Sequence, residues 1–187
     1  EITTRLVGSE MCIRDSPNIK ESQANKALVD AVSDMEGVAV FNLYELSQEI
    51  VFNIDEWSKI ISDASAVIYQ FPFYWMSAPS LLKKWQDEVF TFLSKTPAVA
   101  GKPLTVVTTT GSEYEAYRSG GRNRFTTDEL LRPYQVNAIH SGMSWQTPIV
   151  VYGMGTADAG KNIAEGANLY KQRVEMLIGN SNAGNNW

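Results

Sequence analysis

Residues 70–90 read QFPFYWMSAPSLLKKWQDEVF, and they follow ASAVIY at 64–69. The run from Ala64 to Phe71 is almost continuously apolar. A short run of that kind, without polar alternation, marks a strand buried on both faces of a sheet. Phe71, Phe73, Tyr74 and Trp75 then crowd around Pro72 on the way out of that strand. Pro79 opens a helix over 79–93, because a first helical turn has no use for the N–H that proline lacks. Leu81, Leu82, Trp85, Val89 and Phe92 recur on one face of it. A buried strand, an aromatic turn and an amphipathic helix together imply an α/β fold.

The same alternation continues on both sides. Apolar residues at spacings of three and four predict a helix over 22–35, stopped by Gly37, and another over 55–63. VAVFNL (38–43) and PLTVVTT (103–109) read as strands. Thr126 and Glu129 form a capping box for a helix near Asp128 that Pro133 restarts and Gly142 ends. A strand over 147–152 and a last helix over 159–178, stopped at Gly179, complete the series, and 180–187 form a loose tail. Helices of this length between strands imply right-handed crossovers and a parallel sheet covered on both faces.

The totals agree with a single domain of 187 residues, 44% hydrophobic and 20% charged, with net charge −5. The acidic balance argues against a sequence-independent nucleic-acid binder. One cysteine, Cys12, excludes a disulfide framework and leaves a cysteine-based metal site without ligands. No apolar run reaches the length of a membrane span and no secretory leader is seen, so the expectation is a cytoplasmic protein. Residues 1–16, EITTRLVGSEMCIRDS, lack the apolar strand that should open such a sheet. GSEMCIRDS resembles translated adapter sequence, and the segment is read as non-native; the alternative is a divergent first strand around residues 4–8.

In parallel sheets ligands bind at the carboxyl ends of the strands. Two turns qualify. Residues 70–75 offer aromatic rings and backbone N–H groups. Residues 108–112, TTTGS, offer hydroxyls and a glycine that lets backbone approach a ligand. Behind them lies an aperiodic stretch carrying Tyr114, Tyr117 and Gly120–Gly121. Side by side these loops would form a slot with aromatic walls and polar edges, suited to a planar ligand. Taken alone, the aromatic run reads more readily as core.

The stretch 70–90 resembles the strand–turn–helix signature of the flavodoxin-like NAD(P)H quinone oxidoreductases, a group that includes bacterial drug-activity modulators and ancillary flavoproteins of potassium-efflux systems. Phe71, Pro72, Trp75, Pro79, Leu82, Lys83, Trp85, Asp87 and Val89 fall on that pattern in order. AVAGKPLTVVTTTG (98–111) and FTTDELLRPYQVNAIHSGMSWQTPIVVYG (125–153) extend the similarity across most of residues 17–170. The resemblance implies a flavodoxin-like, doubly wound, five-stranded parallel sheet over 17–179, with a disrupted or divergent first strand. It implies a bound flavin, FMN by the short form of the chain with FAD as the alternative, and NAD(P)H as co-substrate. It implies a homodimer and ping-pong hydride transfer to a quinone.

By the same resemblance, Phe71, Pro72, Phe73, Tyr74 and Trp75 pack against the flavin ring, and Thr109, Thr110, Gly111 and Ser112 line its opposite side. Tyr117, or else Tyr114, stands near the flavin C2 carbonyl, where it would stabilise developing negative charge. Pro17, Asn18, Ser22 and Asn25 match the phosphate turn, with Ser16 where the family has histidine. Two other functions compete: a redox-sensing flavoprotein subunit that contacts a membrane transporter, and a nucleotide enzyme built on GTADAGK (155–161), a near match to a phosphate-binding loop in which Asn162 replaces the required Ser or Thr. His140, the only histidine, reads as a helix-terminal residue.

Overall fold

A computed structural model describes residues 9–16, 22–44 and 51–183. The strands are β1 (Ser9–Arg14), β2 (Val38–Asn42), β3 (Ala64–Pro72), β4 (Pro103–Thr109), β5 (Ser144–Trp145) and β6 (Ile149–Val151). They form one parallel sheet in the order β2-β1-β3-β4, with β5 and β6 sharing the fifth position beside β4. The strand expected over 147–152 is β6, shortened to Ile149–Val151, and β5 is an additional short strand just before it. The order reverses between β1 and β3, which places a crevice at their carboxyl ends.

The helices are α1 (Gln23–Asp30), α2 (Ile54–Asp63), α3 (Ser80–Trp85), α4 (Thr91–Leu93), α5 (Thr127–Leu130), α6 (Arg132–His140) and α7 (Ala159–Asn182). A π-helical turn, Gln86–Phe90, joins α3 to α4, so the expected helix over 79–93 is continuous but widened in its middle. The capping box of Thr126 and Glu129 forms, and Pro133 lies in the first turn of α6. Helix α1 stops at Asp30 rather than near Met35, and turns lead on to Gly37, whose φ is +84°. Helix α7 runs past Gly179 to Asn182, three residues into the expected tail.

Each face of the sheet has its own core. On one, α2, α3 and α6 cover large side chains around Trp85, which is fully buried and meets Trp57 edge-on at 5.3 Å and Tyr69 at 6.0 Å. Each such pair adds about 0.5–1.5 kcal/mol beyond burial of area. On the other, α1 and α7 cover Cys12, Ala66, Ile68, Val107 and Val151. Close approach there requires Gly166, where an added Cβ would lie 2.4 Å from a Val151 methyl.

The first strand departs from expectation. Residues 4–8 lie outside the described residues, and β1 is instead built from SEMCIR inside the segment read as non-native. Met11, Cys12 and Ile13 supply apolar contacts, but Glu10 is also fully buried in the sheet. The strand is therefore present and central, not disrupted, and it carries a carboxylate where α/β cores carry apolar side chains.

Candidate active site

The turn after β3 is strained. Phe73 N–H donates to Thr109 O at 2.9 Å, extending the ladder by one residue, and Tyr74 and Ser77 bridge each other. Between them Trp75 and Met76 have φ of +49° and +63°. The left-handed region costs a non-glycine residue about 1–2 kcal/mol. Tyr134 holds the turn from behind: its hydroxyl accepts from Ala78 N–H at 3.1 Å, and its ring packs on Phe71 at 5.2 Å. The result presents Trp75 with 98% of its surface exposed and leaves the Trp75 and Met76 N–H groups without a carbonyl among the described residues. The ring of Phe71 faces the core and is fully buried, so only its backbone reaches the strand end. Phe73 is partly buried and stacks against Phe71 at 6.3 Å.

Opposite this turn, Ser22 and Asn25 at the start of α1 meet Thr109 at the end of β4. The Asn25 side-chain amide donates to Ser22 Oγ and Thr109 Oγ1, both at 3.1 Å. Gln70, fully buried in β3, fixes it by donating to the Asn25 carbonyl at 2.9 Å. A cavity of about 430 Å³ opens here, lined by Ser22, Asn25, Pro72, Tyr74, Thr109 and Met154. Asn25 Oδ1 is buried and unpartnered among the described residues, and an unmet buried acceptor of this kind costs about 1–3 kcal/mol. The start of α1 adds a partial positive charge to the same place. Pro17 and Asn18 lie outside the described residues.

The remaining strand-end residues divide. Thr110 Oγ1 donates to Ser112 O at 2.8 Å, and Arg122 donates to Ser112 Oγ at 2.6 Å, so these two hydroxyls shape the loop. Gly111 lies exposed at its tip. Gly121 permits the loop's return, since a Cβ there would stand 2.2 Å from Glu115 O. Tyr114 and Tyr117 share a short 3-10 turn but face different surroundings. Tyr117 is 5% exposed and packs on Phe73 at 6.3 Å, beside the aromatic turn. Tyr114 is half exposed and meets Tyr152 at 5.3 Å, one ring farther out. Tyr134, Tyr152 and Met154 were not singled out in the sequence. The glycine-punctuated YGMG that follows β6 was the available signal for the last two.

The other candidates separate from this site. Asp15, at the end of β1, faces α3, where Oδ2 accepts from Leu82 N–H at 2.7 Å, and burial raises its pKa. Residues 153–155 spend their N–H groups on the carbonyls of Ser112, Thr110 and Gly111. Lys161 is exposed and pairs with Glu165 at 3.8 Å, and Asn162 donates to Tyr152 O. Gly155, the first residue of that loop, therefore has no N–H left for a phosphate. His140 is exposed at the end of α6, and Asp87 pairs with Lys83 on the helix surface.

The residues at the β1, β3 and β4 ends fit a flavin. A spare acceptor, hydroxyls and a helix start suit its polyol phosphate arm, and spare turn N–H groups beside aromatic rings suit the edge of its ring system. The comparisons place the fold in a known family. Residues 11–174 match the model of a family described by its flavodoxin-like fold. The chain belongs to this family. It is 34% identical over 165 residues to the Bacillus subtilis protein named uncharacterized NAD(P)H oxidoreductase YdeQ, covering 86% of this chain and 83% of that protein. It is 35% identical over 140 residues to the glutathione-regulated potassium-efflux system ancillary protein KefG of Serratia proteamaculans, covering 73% and 76%. Among solved structures, general stress protein 14 of Treponema denticola in complex with FMN aligns with TM-score 0.83 and 27% identity, over 90% of this chain and 99% of that one. An NADPH-quinone reductase of P. pentosaceus aligns with TM-score 0.76 and 26% identity, over 89% and 97%.

Proposed function

We propose that this protein is an FMN-dependent NAD(P)H oxidoreductase whose electron acceptor is a quinone. The observation that carries the reading is the cavity at the sheet's reversal point, where Asn25 Oδ1 is buried without a partner among the described residues, beside a strained turn whose Trp75 and Met76 N–H groups meet no carbonyl among those residues. Relatives carrying the names NAD(P)H oxidoreductase and NADPH-quinone reductase, and a neighbour holding FMN, support it.

Bound FMN would supply the two-electron hydride chemistry. The chain's part is binding and positioning. Ser22, Asn25 and Thr109 hold the polyol and phosphate arm, the N–H groups of Trp75 and Met76 face the ring edge, and Phe73 and Tyr74 wall it. Tyr117, packed on Phe73, would supply the hydroxyl that meets negative charge on the pyrimidine side. One open slot implies that NAD(P)H and the quinone occupy it in turn, in a ping-pong order. The exposed Trp75 and Met76 form the apolar rim where a second subunit would close the slot.

The visible spectrum of the purified or FMN-reconstituted protein tests this. Flavin bands near about 450 nm, bleached by NADPH and restored by a quinone, are the expected result. A colourless protein that takes up no flavin would overturn it.

A further inference from the structure

A second groove adjoins the slot, and basic side chains outnumber acidic ones in its lining. It has a volume of about 490 Å³ and lies between the loop carrying Tyr114 and Tyr117, the β6 edge and α7. Arg118 and Arg173 line it, with Asp128 its one carboxylate. Neither guanidinium makes an ion pair among the described residues. Arg173 is half-buried, donates once, to Thr147 O at 2.7 Å, and has its pKa lowered by desolvation. A part-desolvated guanidinium without a counter-charge is costly unless an anion visits it.

The groove is connected to the slot by rings in series. Phe73 meets Tyr117 at 6.3 Å, Tyr117 meets Tyr152 at 5.9 Å, Tyr152 meets Tyr114 at 5.3 Å, and the Arg118 guanidinium lies over Tyr114 at 5.5 Å. The Tyr114–Tyr152 pair is also a divide. Beyond it a neighbouring groove carries Glu113, Glu115, Asp158 and Glu165 and no basic residue. An anionic ligand that leaves the slot past Tyr117 meets cations on one side of this ridge and four carboxylates on the other.

We propose that the Arg118–Arg173 groove binds the adenosine end of the dinucleotide donor and selects the form carrying a 2′-phosphate. A phosphate suits two forked guanidiniums, and a flat base suits tyrosine walls. The inference rests on the oxidoreductase reading above, which places the nicotinamide end at the aromatic turn. It assigns donor preference to residues one ring beyond the slot.

The test uses the FMN-loaded protein, with its flavin spectrum recorded first, and compares Arg118→Gln, Arg173→Gln and the double variant. The ratio of KM for NADPH to KM for NADH is expected to rise about 10-fold in each single variant, because NADH lacks the phosphate. A ratio unchanged in both variants overturns the proposal. Arg173 also holds the Thr147 carbonyl, so Arg118→Gln, at an exposed position, keeps the test open if the Arg173 variant misfolds. Calorimetric titration with adenosine 2′,5′-bisphosphate, 5′-AMP and inorganic phosphate needs no flavin. Binding of the bisphosphate well above the other two, lost in the double variant, supports the groove; equal binding of all three overturns it. A protein that binds the bisphosphate but no FMN would overturn the oxidoreductase reading instead.

Discussion

The two ends of the sheet each hold a buried oxygen without a partner among the described residues, and they differ in what surrounds it. At the carboxyl end Asn25 Oδ1 lies beside a cavity of about 430 Å³ that is also lined by Pro72 and Tyr74 of the strained turn. At the amino end Glu10 Oε2 is equally buried, but it lies inside the sheet near the last turn of α7, where Ser181 Oγ donates to the other carboxylate oxygen at 3.4 Å. Among the described residues no donor cluster converges there. An unmet polar atom that opens on a cavity has a ligand to meet; one enclosed between strand and helix is only a cost. The difference separates a site from a defect in the strand.

The largest test of that contrast is Glu10. Burial raises its pKa from 4.5 to about 7. The folded state therefore holds a proton that the unfolded state has released. The stabilisation is complete below about pH 4.5 and is lost as the pH rises to about 7, and a shift of this size is worth about 3 kcal/mol. Glu10→Gln keeps the shape and removes the titration. Urea unfolding followed from pH 5 to pH 8 should show the wild-type protein losing stability across that range and the variant holding it. An equal loss in both would mean that the carboxylate has a partner in solution, and the contrast would fail.

The second test is Asn25→Leu. The change removes two hydrogen bonds of 3.1 Å, but it also removes the unpartnered Oδ1. Stability should shift by less than about 1 kcal/mol, because the two effects offset each other. FMN affinity, measured by fluorescence quenching on titration, should fall at least about 10-fold. A large loss of stability with affinity intact would make Asn25 a structural bridge and nothing more.

How far the sequence showed these two ends follows from the physics of each. PLTVVTT and the apolar run before Gln70 announce β4 and β3, because strands buried on both faces have no polar alternation to confuse with helix. The aromatic turn was legible as a site only beside TTTGS, since rings after a strand serve a core equally well, and Phe71 does turn inward. The first strand was illegible because SEMCIR lacks any apolar run: its place comes from the pairing of β1 with both β2 and β3. The additional short strand β5 and the π-turn at Gln86–Phe90 are tertiary effects with no local signature. The chain of rings through Tyr152 joins residues far apart in sequence, which periodicity cannot reveal.

The smallest test concerns the strain itself. Met76 sits at φ +63° in a turn that Tyr134 clamps from below. If the turn exists to aim N–H groups, the side chain at 76 is not what the ligand needs, and a residue that tolerates the left-handed region should relieve the cost without loss of function. Asparagine is such a residue. Met76→Asn is expected to raise stability by about 0.5–1 kcal/mol, a shift in Tm of roughly 2 °C for a chain of this size, with FMN affinity unchanged. Met76→Val should do the opposite, since a β-branched side chain in this region is the worse outlier. Thermal unfolding of both variants reads the difference. Equal melting of the two would show that the turn relaxes freely, and its donors would then owe their direction to the bound flavin rather than to the fold.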